Sequence, residues 1–306
     1  MTGLSRLESL PEVLKRRFDL LVFDWDGTAV PDRYSPTPDL NRALEKLLHQ
    51  GVWIAPVTGT KVENLETNCL SMLTPEARAS RLIVCTNRGS EVWAYDTNGE
   101  RRKVWDRVST EAEEQQLSAA AEDLQRRLLE RGLETQIIYN RLNRRKVDLI
   151  PLPEWVDPPK ARIADLIAAT RARVRAAGFA EIADVMDLAG DIAREAGLAN
   201  PRITSDGKYV EIGLTDKGDS VVWLLDNVAR PNGIANESIL VAGDEFGDVG
   251  GFSGSDARML VPQAENAVFV SVGPEPAGVP PPVLNASGGP QRFVEILEWQ
   301  SILRAS

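Results

Sequence analysis

The feature that most constrains the fold is an apolar run that ends abruptly in two acids. Leu20–Phe23 leads directly into Asp24-Trp25-Asp26-Gly27-Thr28. Because the run lacks the polar alternation of a half-exposed strand, it predicts a strand buried inside a parallel sheet. Ligands of such sheets bind at the carboxyl ends of the strands, where these two acids lie.

The two acids at the end of this run, Asp24 and Asp26, carry charges that are costly to bury. A cation or a proton has to compensate two neighbouring carboxylates in a buried place. The segment therefore indicates a metal ion and a carboxylate nucleophile. The alternative for this segment alone is a solvated turn, since Asp and Gly are common turn residues.

The counts of histidine and cysteine narrow the possible chemistry. The chain has one histidine, His49, and two cysteines, Cys69 and Cys85. Ser-His-Asp hydrolysis, Cys-His catalysis and His-rich zinc sites are therefore disfavoured. We expect the two thiols to be buried as small hydrophobic groups. Any chemistry is expected to use carboxylates, Lys, Thr and a hard cation.

Charge and hydropathy indicate the kind of partner. The net charge of −10 argues against nucleic acid or an anionic membrane as a partner, but it leaves a small anionic substrate open. No apolar run approaches the roughly 20 residues that span a bilayer. Residues 1–17 lack the apolar core of a signal peptide, so a cytoplasmic location is expected.

Strand and helix patterns alternate along most of the chain and predict an α/β fold. Apolar runs at 52–57, 81–85, 238–242 and 267–270 are predicted strands, and 38–50, 218–228 and 290–303 have helical patterns. We predict a Rossmann-like parallel-sheet core made of residues 1–85 and 216–306. An inserted α+β cap domain, residues 86–215, interrupts it.

Four short segments fall at the ends of predicted strands or at helix starts. They are Asp24-Trp25-Asp26-Gly27-Thr28, Val57-Thr58-Gly59-Thr60, Asp216-Lys217-Gly218-Asp219 and Gly243-Asp244-Glu245-Phe246-Gly247-Asp248. Taken singly, each has an ordinary explanation: Thr58 can cap a helix, Lys217 can lie on the surface, and Asp244 can belong to a turn. Together and in this order, they resemble the four motifs of the haloacid dehalogenase-like superfamily of phosphotransferases. The resemblance covers residues 18–85 and 217–270.

This resemblance implies a distinct role for each catalytic residue. Asp24 would be the nucleophile that forms an aspartyl-phosphate. Asp26 would protonate the leaving alkoxide and later activate water. Thr58 and Lys217 would contact the phosphoryl oxygens and the developing negative charge. Because dehalogenases lack the second acid, Asp26 favours phosphate-ester chemistry over dehalogenation.

The resemblance also implies a bound Mg²⁺, a cation that prefers oxygen ligands. The expected ligands are Asp24, the backbone carbonyl of Asp26 and Asp244, with Asp248 as a further ligand or as a residue that orients one. Many relatives carry Asn where this chain has Gly247. Glu245 is therefore a further candidate in the metal site.

The inserted segment resembles the α/β cap of sugar-phosphate phosphatases, a branch with Cof-like, sucrose-phosphate, mannosyl-phosphoglycerate and trehalose-phosphate enzymes. Asn87–Val92 is similar to the segment that opens this cap, and Tyr209–Ile212 to the strand before the third motif. A substrate can be bound by Gly59 in the core and by a basic cluster on the predicted cap hairpin. That cluster comprises Arg141, Arg144, Arg145 and Lys146. The alternative for the cluster is a solvated charged turn.

The function expected from these observations is hydrolysis of a phosphoric monoester. We expect a Mg²⁺-dependent phosphatase that acts on a sugar phosphate or a similar small phosphorylated metabolite through an aspartyl-phosphate. One alternative is a phosphomannomutase-like hexose phosphomutase, which would share the core, the cap and the paired acids. Another is a non-catalytic binding protein on the same scaffold. The sequence predicts neither the substrate's identity nor the oligomeric state.

Overall fold

The computed structural model describes residues 10–32, 35–156, 158 and 162–305. Its strands are β1 (Leu20–Asp24), β2 (Trp53–Val57), β3 (Ile83–Thr86), β4 (Glu91–Tyr95), β5 (Arg101–Asp106), β6 (Gln136–Arg141), β7 (Arg144–Asp148), β8 (Arg202–Ser205), β9 (Tyr209–Gly213), β10 (Ile239–Gly243), β11 (Val268–Ser271) and β12 (Leu284–Asn285). Its α-helices are α1 (Pro38–His49), α2 (Val62–Asn68), α3 (Pro75–Arg81), α4 (Glu111–Glu130), α5 (Ile163–Ala176), α6 (Ile182–Glu195), α7 (Lys217–Leu224) and α8 (Gly289–Ala305). Across these ranges, none of the helices has both the length and the apolar character that crossing a bilayer requires.

The predicted parallel α/β core is confirmed. Within the described residues, eight strands form one sheet in the order β12–β11–β10–β1–β2–β3–β4–β5. The strands from β12 to β3 run parallel to their neighbours, and β4 and β5 are antiparallel additions. β1 lies between β10 and β2, and all five of its residues are buried.

Successive residues of β1 enter two different hydrophobic clusters, one on each face of the sheet. Leu21 and Phe23 pack with apolar residues of α1 and α8, whereas Leu20 and Val22 pack with those of α7. Both faces of the strand are therefore covered by helices. This explains why β1 reads as a continuous apolar run rather than an alternating one.

A smaller antiparallel sheet, in the order β6–β7–β9–β8, forms the inserted unit together with α4, α5 and α6. One face of this sheet packs on α4 and α6 through Leu117, Leu124, Val147, Val185, Ile192 and Val210. Val147 and Val210 are paired in register, as are their neighbours Lys146 and Glu211. Because successive strand residues point to opposite faces, Lys146 and Glu211 lie on the face away from these helices.

The boundaries of the two units differ in detail from the predicted ones. β4 and β5, which fall inside the predicted insert, hydrogen-bond to the core sheet through β3. The first compact unit contains the chain up to Asp106, Lys217–Gly247 and the chain from Asp256 onward. The second contains Arg107–Asp216 and, unexpectedly, Asp248–Ser255. Phe252 of that short segment is buried in the same cluster as the helices of the second unit.

Both cysteines are buried and free of disulfide bonds. Cys69 and Cys85 each lie in a hydrophobic cluster of the first unit. Burial raises the pKa of each thiol to about 12. Both thiols are therefore protonated at neutral pH and behave as small apolar groups.

Candidate active site

A buried lysine lies between two buried carboxylates at the carboxyl end of β1. Lys217, the first residue of α7, donates hydrogen bonds from Nζ to Asp24 Oδ1 at 2.7 Å and to Asp256 Oδ1 at 2.6 Å. Each of the three residues is at most 6% exposed. The chain thus holds a desolvated ion triad beside the end of its central strand.

Burial and neighbouring charges shift the pKa values of Asp24 and Lys217. Burial raises the pKa of Asp24 to about 7, against the opposing attraction of Lys217. Burial alone would lower the pKa of Lys217, but the carboxylates of Asp24 and Asp256 outweigh it and raise that pKa. Lys217 therefore stays positively charged. A second positive charge near Asp24 would keep this carboxylate ionised as a nucleophile at neutral pH.

The triad is part of a larger acidic cluster. One carboxylate oxygen each from Asp24, Asp244 and Asp256 lies within 4.8 Å of the other two. Lys217 pairs with two of these carboxylates, those of Asp24 and Asp256, and the cluster is largely buried. A donor set of three carboxylate oxygens suits a hard divalent cation such as Mg²⁺.

Gly27 and Thr28, directly after the two motif acids, shape the surroundings of Asp244. Thr28 Oγ1 donates a hydrogen bond to Asp244 Oδ1 at 2.9 Å. Gly27 has a φ of +99°, and a Cβ atom there would lie 2.1 Å from Asp244 Oδ2. Glycine is therefore required, because both the conformation and the close approach exclude a side chain. Asp26, between these residues and Asp24, is half-buried.

Asp256 is a site residue that the sequence reasoning missed. Its Oδ2 accepts hydrogen bonds from the backbone N–H groups of Asp244 at 2.9 Å and Glu245 at 3.0 Å. The segment Asp248–Ser255, which packs in the second unit, lies between the loop Asp244–Gly247 and Asp256. No local sequence signal marks this acid, because its contacts depend on tertiary packing.

Thr58 lies at the end of β2, next to β1 in the sheet. Val57 pairs in register with Asp24, so Thr58 begins the loop beside the nucleophile candidate. Its side chain is buried, and its Oγ1 accepts a hydrogen bond from Thr60 N at 3.2 Å. Gly59 is half-buried, and Arg88 flanks it from the loop after β3.

Asp248 and Gly247 end the fourth motif in different surroundings. Asp248 is exposed, belongs to the second unit, and is not a member of the acidic cluster found among the described residues. A Cβ atom on Gly247 would lie 2.1 Å from the carbonyl oxygen of Gly278. The absence of Asn at position 247 thus has a steric reason. Glu245 is half-buried beside Asp244.

The predicted basic cluster divides between the two faces of the second unit's sheet. Arg145 extends toward α4, where it pairs with Glu114 at 2.5 Å. Arg144 and Lys146 instead pair with the buried carboxylate of Glu211 at 3.3 Å and 2.7 Å. A two-residue turn through Asn143, whose φ is +56°, puts Arg144 inside β7, so neighbouring side chains alternate.

Two further charged residues of this sheet, Arg141 and Glu211, differ in their exposure to solvent. Arg141, the last residue of β6, is exposed. Glu211, which is 1% exposed, is a charged residue of the network that the sequence reasoning did not single out. Its position inside the apolar-looking strand β9, between Val210 and Ile212, was the signal for a buried charge.

The sequence matches no known family profile and no curated protein. Solved structures nevertheless match the chain along nearly its whole length. The C-terminal domain of C. albicans trehalose-6-phosphate phosphatase superimposes with a TM-score of 0.56 at 16% identity, covering 99% of this chain and 98% of that one. Aspergillus fumigatus trehalose-6-phosphate phosphatase gives 0.55 at 14% identity, with the same coverages of 99% and 98%. A mutant Plasmodium falciparum IMP-nucleotidase with bound IMP gives 0.57 at 15% identity, covering 98% of this chain and 70% of that one.

These likenesses establish the fold. The core sheet with β1 at its centre and the inserted antiparallel sheet agree with the architecture that the four motifs led us to expect. The chain therefore shares the fold of these structures, a Rossmann-like parallel-sheet core with an inserted α+β unit.

Proposed function

We propose that this protein is a Mg²⁺-dependent phosphatase that hydrolyses a sugar phosphate or a similar small phosphorylated metabolite. The observation that carries the proposal is the buried Lys217 between Asp24 and Asp256, with Asp244 in the same acidic cluster. The names of the structural neighbours support it, since one is an IMP-nucleotidase and others are trehalose-6-phosphate phosphatases.

The proposed cation would be held by Asp24, Asp244 and the backbone carbonyl of Asp26. The cluster's carboxylate oxygens fit Mg²⁺, and the lack of a side chain at Gly27 gives the Asp244 carboxylate its place. When bound, the cation supplies charge neutralisation to a phosphoryl group. Asp256 already accepts hydrogen bonds on both oxygens, so its proposed part is to hold Lys217. A ligand role for Asp248 stays a prediction.

The first chemical step transfers the phosphoryl group to the protein. A carboxylate oxygen of Asp24 attacks phosphorus, and a bond from Asp24 to phosphorus forms as the phosphorus–oxygen ester bond breaks. The leaving alkoxide takes a proton from the Asp26 carboxyl group. Lys217 and Thr58 stabilise the negative charge that develops on the phosphoryl oxygens.

The second step releases phosphate. Asp26, now a carboxylate, takes a proton from a water molecule as the water oxygen attacks the phosphorus of the aspartyl-phosphate. The bond between Asp24 and phosphorus breaks, which regenerates the Asp24 carboxylate and frees inorganic phosphate. Asp26 ends the cycle protonated, ready for the next ester.

We assign the polar part of the substrate to the face of the cap sheet that carries Arg144 and Lys146. Both cations contact Glu211, so this face offers several donors and one acceptor in a buried setting. Such a set suits the hydroxyl groups and the charge of a phosphorylated sugar. Arg145, paired with Glu114 on the opposite face, is assigned to the stability of the cap.

A phosphate-release screen tests the function. Trehalose 6-phosphate, hexose 6-phosphates, IMP and glycerol 3-phosphate would each be incubated with the protein, with and without Mg²⁺. Release that depends on Mg²⁺ is expected for at least one of them. Interconversion of hexose phosphates without release of inorganic phosphate would show a phosphomutase activity instead of the proposed phosphatase activity. Binding without any turnover would favour the non-catalytic alternative.

The nucleophile is tested by Asp24→Asn, which we expect to abolish turnover. Asp39→Asn is the matched control, because Asp39 is an exposed acid on α1 that pairs with Arg42 at 3.1 Å. Its turnover should equal that of the wild type. Full turnover in the purified Asp24→Asn variant would refute the assignment.

A further inference from the structure

The loop Asp244–Gly247 follows β10 and supplies one carboxylate of the acidic cluster. Its first two backbone N–H groups, those of Asp244 and Glu245, donate to Asp256 Oδ2 at 2.9 Å and 3.0 Å. A buried carboxylate thus holds the start of the loop. The end of the loop is held in the same way by a second acid, which no motif includes.

This second acid is Glu275, which lies in the segment after β11. Phe246 N donates to Glu275 Oε1 at 2.8 Å, and Gly247 N donates to Oε2 at 3.0 Å. Ser271 Oγ, at the end of β11, also donates to Oε1 at 2.7 Å. The Glu275 residue is 6% exposed, so three hydrogen bonds to its carboxylate form in a buried place. Hydrogen bonds to an ionised acceptor are about twice as strong as neutral ones.

Close backbone packing leaves the loop little freedom beside Glu275. A Cβ atom on Gly247 would lie 2.6 Å from Glu275 Oε2, and one on Gly273 would lie 2.0 Å from the carbonyl oxygen of Asp244. Segment 273–278 therefore runs directly against the loop. Since no side chain fits between them, the two segments are expected to move together.

We propose that Glu275 is a positioning residue for the metal site. It does not touch the cation; it fixes the Phe246 and Gly247 amides and thereby the direction in which Asp244 points. Together, Asp256 and Glu275 take up four successive N–H groups of the loop, from position 244 to position 247. Loss of a residue that orients a metal ligand typically lowers metal affinity about 10- to 100-fold. The inference rests on the proposed Mg²⁺ site.

Glu275→Gln tests this role with little change in size. The amide keeps one acceptor oxygen but turns an N–H₂ group toward one of the two backbone N–H donors. We expect the dissociation constant for Mg²⁺, measured by titration calorimetry on the metal-free protein, to rise about 10-fold or more. The matched control is Glu295→Gln, because Glu295 is similarly buried but pairs with Arg292 at 2.8 Å on α8. Its dissociation constant should stay within about twofold of the wild type.

The outcomes separate this inference from the proposed function. A wild-type protein that binds no Mg²⁺ would refute the proposed metal site itself. A folded Glu275→Gln variant that binds Mg²⁺ as tightly as the wild type would overturn the positioning role and leave the proposed metal site standing. Should Glu275→Gln fail to fold, Ser271→Ala removes one of the three hydrogen bonds and is expected to weaken Mg²⁺ binding severalfold. Unchanged affinity in that variant would equally overturn the proposal.

Discussion

Replacing Asp256 by Asn removes one charge from the buried triad while keeping the size of the side chain. In the wild type, Oδ1 accepts from Lys217 at 2.6 Å, and Oδ2 accepts from the N–H groups of Asp244 and Glu245. An amide has one acceptor oxygen and one donor group. Whichever way it turns, either Lys217 or the two backbone donors face another N–H group.

The magnitude follows from the groups that lose their acceptor. A buried donor without a partner costs about 1–3 kcal/mol, and breaking a buried ion pair costs about 3–5 kcal/mol. Lys217 keeps its contact with Asp24 at 2.7 Å, so the ion pair is only partly lost. The expected cost therefore lies between the cost of an unpartnered donor and the cost of a fully broken ion pair. We expect the free energy of unfolding to fall by about 2–4 kcal/mol. We also expect kcat to fall about 100-fold, because the positive charge is no longer held where negative charge develops.

Urea unfolding and Mg²⁺-dependent phosphate release measure the two effects. The matched control is Asp226→Asn, since Asp226 is 45% exposed and pairs with Arg230 at 3.0 Å. An exposed pair of this kind contributes at most about 1 kcal/mol, so the control should retain stability and kcat. An Asp256→Asn protein with the stability and the kcat of the wild type would refute the reasoning.

Three further predictions concern the metal and the buried groups. Gly27→Ala should raise the dissociation constant for Mg²⁺ about 10-fold or more in calorimetry, because its Cβ would lie 2.1 Å from Asp244 Oδ2. Gly233→Ala is its control, since Gly233 also has a positive φ (+66°) but no atom near the added Cβ, and an equal loss in both variants would contradict the steric reason. Cys69 and Cys85 should not react with Ellman's reagent in the native protein at pH 8 and should react in denaturant, because burial raises their pKa to about 12. Rapid labelling of the native protein would count against this burial. EDTA should abolish phosphate release and added Mg²⁺ should restore it; activity that persists in EDTA would contradict the metal requirement.

The core of the fold was predictable because its signals are local. A continuous apolar run has to be buried on both faces, and β1 is covered on each face by helices. Polar residues at the ends of parallel strands meet at one edge of the sheet. This is why the structure brings Asp24, Lys217 and Asp244 to the same edge, as their order in the sequence led us to expect.

Asp256 and Glu275 were not predictable in the same way. Each acts through hydrogen bonds to backbone groups that lie 11 to 29 residues away in the sequence. Nothing in the local pattern distinguishes such an acid from an exposed one in a glycine- or proline-rich loop. Their roles depend on tertiary packing that brings a carboxylate against N–H groups of another loop.

The bounds of the second unit could not be predicted from sequence patterns either. The alternation of apolar and polar residues predicts a strand at β4 but does not indicate which sheet the strand joins. In the structure, β4 pairs with β3 and so extends the core sheet. The basic cluster divides because Arg144, Arg145 and Lys146 all lie in strand β7. Side chains alternate along a strand, so Arg144 and Lys146 share one face and Arg145 takes the other.

The segment Asp248–Ser255 has a consequence for exchanging modules between enzymes of this architecture. The chain passes between the compact units at 106–107 and 216–217, and again at 247–248 and 255–256. A graft cut at the first pair of junctions alone would leave Phe252 behind and open a cavity in the transplanted piece, at a cost of about 3–5 kcal/mol. A chimaera that exchanges the second unit must therefore be spliced at both pairs of junctions, because this unit consists of two separate segments of the sequence.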